Sequence, residues 1–194
     1  MDTVTKATLR VAYLLAASDG DIKPEEREVF KTTLEQAGMK MGDSETTEFL
    51  NPIMSTVRKL SEMRDIYDEA EIDRAFQNEM DSDLKEICVY GAPKQLRRAF
   101  ATWMCVCFAD SEYSASERKH IDWLRDISCG FSMKPGVITD VYLAELEARY
   151  REIDELRAKL GAVSTRYEER VIKDSLATLA ECLVSFIDGV DSED

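Results

Sequence analysis

Apolar residues return along this chain at steps of three and four, the spacing that gives a helix one buried face. Val4, Ala7, Val11 and Leu14, widened by Leu15, predict a first helix from about Thr3 to Ser18. Asp19-Gly20 ends it, because glycine accepts the left-handed backbone of a helix C-terminus. Pro24 suits the first position of a second helix, and Glu25 and Glu26 suit its positive N-terminus. Phe30, Leu34 and Ala37 form its apolar face, and Gly38 stops it. Asn51-Pro52 reads as the cap and first residue of a helix carrying Ile53, Val57 and Leu60. Residues 62–86 hold ten acidic and three basic side chains, and their apolar positions (Ile66, Ala70, Phe76, Met80) are irregular. The stretch fits either an exposed helix or a loop.

After Pro93 the pattern is strong again. Leu96, Phe100, Trp103 and Cys107 share a stripe, flanked by Met104 and Phe108. Ser114-Ala115-Ser116-Glu117 is a capping box, in which Ser and Glu each satisfy the other's backbone N–H, and Ile121, Leu124 and Ser128 face inward after it. Beyond Lys134-Pro135-Gly136, Leu146, Tyr150, Ile153 and Leu160 mark a long helix that Gly161 breaks, and Ser164 can cap the next. Ile172, Leu176, Leu179, Leu183, Phe186 and Val190 then alternate steps of four and three, a heptad seam. The short connection predicts an antiparallel helical hairpin, followed by an acidic tail, Asp191-Ser192-Glu193-Asp194.

Composition narrows the picture to an all-α protein. With 8 Gly and 4 Pro in 194 residues, turns are too few for an all-β sandwich. A net charge of −14 repels phosphate backbones and anionic headgroups, which argues against nucleic acid. Lys94, Arg97 and Arg98, the one local basic cluster, read as a solvated face. No stretch approaches a membrane span, and Met1-Asp2-Thr3 does not begin a secretory signal. Five cysteines (Cys88, Cys105, Cys107, Cys129, Cys182) sit mostly within apolar helical patterns and form no disulfide framework. A reduced, cytoplasmic protein is expected.

The two acidic turns align at a constant offset of 91 residues. Asp19 falls on Asp110, Asp21 on Glu112, Glu26 on Glu117 and Arg27 on Arg118, while Leu9, Leu15 and Phe30 fall on Phe100, Val106 and Ile121. Two such helix pairs can bury their stripes in one core about a pseudo-twofold axis. The stretch from Ala16-Ala17-Ser18-Asp19-Gly20-Asp21-Ile22 through Glu26-Arg27 resembles the tellurite-resistance TerB-like domain. So does Phe108-Ala109-Asp110-Ser111-Glu112 through Glu117-Arg118. Ser111 and Tyr113 depart from that family's usual glycine and aliphatic residue. The resemblance implies a duplicated all-helical domain over residues 1–131, with residues 132–194 an added hairpin and tail. It further implies a non-enzymatic module of stress-response context, linked to divalent cations (Ca²⁺, Mg²⁺ or Mn²⁺) through Asp19, Asp21, Glu26, Asp110, Glu112 and Glu117.

The residues themselves also admit plainer roles. A standard EF-hand is rejected, because its first and third ligand positions would be Leu15 and Ala17. Glu117 closes the capping box, and Glu26 holds the equivalent position behind Lys23, which has no hydroxyl. Asp19 and Asp110 can accept backbone N–H bonds or pair with Arg27 and Arg118. His120 makes E-x-x-H with Glu117, but the chain's one histidine cannot supply the paired motif of a di-iron site, so it reads as packing or surface. Cys105 and Cys107 diverge on their helix and read as packing. No catalytic constellation is apparent. Two expectations follow: a cation-binding TerB-like module, or a protein-interaction or assembly scaffold that associates with a partner or with itself through the C-terminal heptad hairpin and has no metal role.

Overall fold

The computed structural model describes residues 1–20, 22–111, 113–131 and 136–189. Among them it has eight helices and no strand: α1 (Thr3–Ala16), α2 (Pro24–Gln36), α3 (Ser44–Met63), α4 (Glu69–Tyr90), α5 (Pro93–Cys107), α6 (Ala115–Phe131), α7 (Asp140–Ala162) and α8 (Arg166–Asp188). The all-α class holds. No helix among the described residues is long and apolar enough to cross a membrane.

Helix α1 is the axle of the core. Asp2 caps it, accepting from the Thr5 N–H at 2.9 Å, and Val11, Ala12, Leu14 and Leu15 are fully buried against α4 and α5. The Trp103 indole N–H donates to the Thr8 carbonyl at 2.9 Å, so α5 meets α1 with its large polar edge satisfied. The six apolar positions paired by the 91-residue offset are all buried: Leu9, Leu15, Phe30, Phe100, Val106 and Ile121.

The acidic middle corrects the reading of an exposed helix or loop. It contains α4, whose Ile72, Phe76, Met80, Leu84 and Ile87 line one face and pack on α1 and α6. That stripe starts at Ile72 rather than Ile66, and of the acidic residues of α4 only Asp73 is buried with it. A second correction concerns Pro52. It lies inside α3, which begins eight residues before it at Ser44, not at Pro52. The ring removes an interior N–H bond, but burial of Thr46, Leu50, Ile53 and Leu60 along one face outweighs the loss. Likewise α7 runs through Gly161 to Ala162, and Thr165 rather than Ser164 caps α8, accepting from the Glu168 N–H at 3.2 Å.

Helices α7 and α8 are joined by residues 163–165 and pack on each other. The first half of α7 enters the core through Tyr142, Leu143, Leu146, Tyr150 and Ile153, and the Tyr150 hydroxyl donates to the Ala101 carbonyl at 2.7 Å. Near the end of α8, Leu183, Phe186 and Ile187 pack on the core. Asp188 ties α8 to α5 by bonds to Lys94 (2.8 Å) and Arg98 (3.0 Å), while Arg97 stacks on Tyr142. The basic cluster is therefore internally engaged rather than merely solvated. Val190 and the acidic tail lie outside the described residues.

Candidate cation site

Both acidic turns are built by the same backbone bonds. After α1, the Ser18 N–H donates to Leu15 (2.9 Å) and Gly20 to Ala17 (3.3 Å). After α5, Ala109 donates to Val106 (3.0 Å) and Ser111 to Phe108 (3.2 Å). These bonds superpose under the same 91-residue offset. Both turns also place a residue at positive φ, though not at the same angle. Gly20 has φ +144° and Ser111 φ +65°, so the second turn holds a serine where the first has glycine. A left-handed non-glycine residue costs about 1–2 kcal/mol, which the surrounding structure supplies.

The turns meet in space. The Lys23 ammonium pairs with Asp110, 87 residues away, and lies 3.6 Å from Asp19 Oδ2. The Ser116 hydroxyl donates to the Ser18 carbonyl at 3.2 Å, and Arg64 donates to that same carbonyl at 2.6 Å. The first turn is thus clasped by the second turn's helix and by the end of α3. Asp19 and Asp110 share one cation, and Lys23 carries it. The two arginines offered as alternatives are placed elsewhere: Arg118 pairs with Glu147 at 2.7 Å and stacks on Tyr113, and Arg27 is exposed.

Glu26 and Glu117 lie near the turns but are engaged differently. Each is about 1% exposed. Each accepts from the backbone N–H at its own helix cap, Glu26 from Lys23 (2.6 Å) and Glu117 from Ser114 (2.7 Å). The Glu117 N–H completes the second box by donating to Ser114 Oγ at 3.2 Å. Desolvation raises both carboxyls to about 7, against the lowering effect of those backbone bonds, and neighbouring carboxylates add to the rise. The fully buried Cys107 thiol hydrogen-bonds Glu117, and burial together with the surrounding negative charge pushes it well above its ordinary value.

Asp21 and Glu112 lie outside the described residues. Among the described residues no three or more His, Cys, Asp or Glu side chains gather closely enough to hold a metal ion. Asp19 and Asp110 are the two described turn carboxylates that face Lys23, and Glu26 and Glu117 are buried near them at the helix caps. His120 belongs elsewhere. It is fully buried, 3.5 Å from Asp73 and beside Phe76, and neither ring nitrogen has a hydrogen-bond partner. Burial lowers it to about 4, so it is neutral at ordinary pH.

Three contributors escaped the sequence reading: Lys23, Arg64 and Cys107. Lys23 stands four residues after Asp19, a visible spacing, but its reach to Asp110 has no local signature. No protein-family model matches the chain, and no curated protein or solved structure matches it.

Proposed function

We propose that this protein is a non-enzymatic helical module of the TerB-like kind whose paired acidic turns bind a divalent cation, with Lys23 as the resident counter-charge. The observation that carries this reading is the sharing of one ammonium by Asp19 and Asp110, brought together from turns 91 residues apart. Two carboxylates facing one cation make a hard, oxygen-lined position suited to Ca²⁺, Mg²⁺ or Mn²⁺. Glu26 and Glu117 serve as caps and supply negative potential from behind. A binding role is favoured over catalysis because these two carboxylates are committed to backbone N–H groups, and His120 sits in a separate buried environment. The resemblance of both turns to the TerB-like pattern supports the same reading, including its stress-response context.

Calorimetric titration of Ca²⁺, Mg²⁺ and Mn²⁺ tests it. Lys23→Met removes the internal competitor and should tighten binding at least tenfold over the wild type, while Asp19→Asn with Asp110→Asn should abolish it. No heat and no melting shift at millimolar metal, in both wild type and Lys23→Met, would overturn the reading.

A further inference from the structure

The distal part of the α7–α8 pair leaves the core with its apolar surface half covered. None of the 23 residues of α8 is buried, Ile172, Leu176 and Leu179 are only half-buried, and Val171 and Tyr167 are 45% and 77% exposed. Two open clefts of about 550 and 430 Å³ flank Val171. One reaches Leu156 and Leu179, the other Ala162, Val163 and Tyr167.

Charge says what fits there. Residues 156–173 carry five basic and two acidic side chains in a protein of net charge −14. Arg170, Lys173 and Arg157 are engaged within the pair, but Lys159 and Arg166 have no partner among the described residues. Toward the core the balance inverts: residues 140–155 carry six acidic and two basic side chains, and Glu152 and Glu155 are likewise unpartnered. A surface that is positive at one end and negative at the other complements itself when two copies lie antiparallel.

We infer that the α7–α8 pair is a self-association surface on which a second copy of this chain packs antiparallel about a twofold axis at Val171. The Tyr142–Phe186 stack fixes the register of the pair, and counting from it brings Arg157 level with Val171 and Ala162 level with Arg166. A twofold at that level sets Val171 against its own copy. It brings Lys159 level with Glu155 of the second copy, and the Ala162–Arg166 tip level with Glu152 of the second copy. The result is an apolar centre with a charged rim, the usual anatomy of an interface. The inference deepens the assembly reading of the heptad and is independent of the cation reading. Metal titration and sedimentation can each fail without the other.

Sedimentation velocity on the full chain from 1 to 500 µM (about three decades, enough to bracket a micromolar dimer) is the test. The expected result is a reversible dimer. Val171→Asp should leave a monomer with an unchanged far-ultraviolet circular dichroism spectrum. Lys159→Glu with Arg166→Glu, at exposed positions that do not threaten the fold, should weaken the dimer at least tenfold. Adding Glu152→Lys and Glu155→Lys should bring the affinity back. A wild type that stays monomeric throughout, a Val171→Asp variant that still dimerises, or a charge swap that does not restore affinity would each overturn it.

Discussion

Glu117 shows how much a single carboxylate does at this site. It caps α6, holds the Cys107 thiol and faces the negative charge of the opposite turn, with about 1% of its surface in water. Its carboxyl is raised from 4.5 to about 7, so the folded protein holds that proton more tightly than the unfolded chain does. Linkage then runs opposite to the usual carboxylate case. Between about pH 4.5 and 7 this group makes the fold lose stability as pH rises, and Glu26 acts in the same sense. His120 opposes them, because its value is lowered to about 4: its contribution is lost as pH falls from 6.5 toward 4. Glu117→Gln keeps a carbonyl oxygen for the Ser114 N–H and removes the charge. Thermal melts should find E117Q more stable than the wild type at pH 8, with the advantage fading by pH 5. An advantage that grows toward pH 5 would contradict this account.

Among the elements, legibility followed the simplicity of the stripe. Helices α1, α2, α5 and α6 were readable because apolar positions, stops and caps agreed, as at Asp19-Gly20, Pro24 and Ser114. Helix α4 is harder to read, although Phe76 and Met80 lie on its stripe. Anchoring the count on Ile66 and Ala70 broke the period, and ten acidic residues masked a stripe of five. In α3, a local rule about proline conflicted with an amphipathic face that began earlier, and packing prevailed. The conflict has a measurable residue. Pro52→Ala restores an interior N–H donor and a good helix former, and urea unfolding should show a gain of about 1–3 kcal/mol. No gain would mean that the neighbouring backbone had already adapted to the ring. The turn carboxylates were legible as residue types and as a repeat. Their convergence was not, since no spacing in the chain records that Lys23 reaches across to Asp110.

At the scale of the whole molecule, the strongest contrast is between a closely packed centre, which the first part of α7 joins, and a lightly fastened α8. Helix α8 is held by Leu183, Phe186 and Ile187 and by the Asp188 bonds to Lys94 and Arg98. Asp188→Asn removes the carboxylate that both cations share. Hydrogen exchange should then accelerate in residues 183–188 while α1, α4 and α5 keep their protection; acceleration spread evenly through the core would mean that α8 unfolds together with it.

The placement of Lys23 has a further consequence for how such a site would respond to its surroundings. A cation carried on the chain competes at a fixed local concentration, which for a short tether is in the millimolar range whatever the solution contains. Such a tethered competitor raises the apparent dissociation constant of any diffusing ion by a factor set by its effective concentration and its own affinity. If the turns bind a divalent cation as proposed, the lysine would work as a set point, raising the ion concentration at which the turns respond.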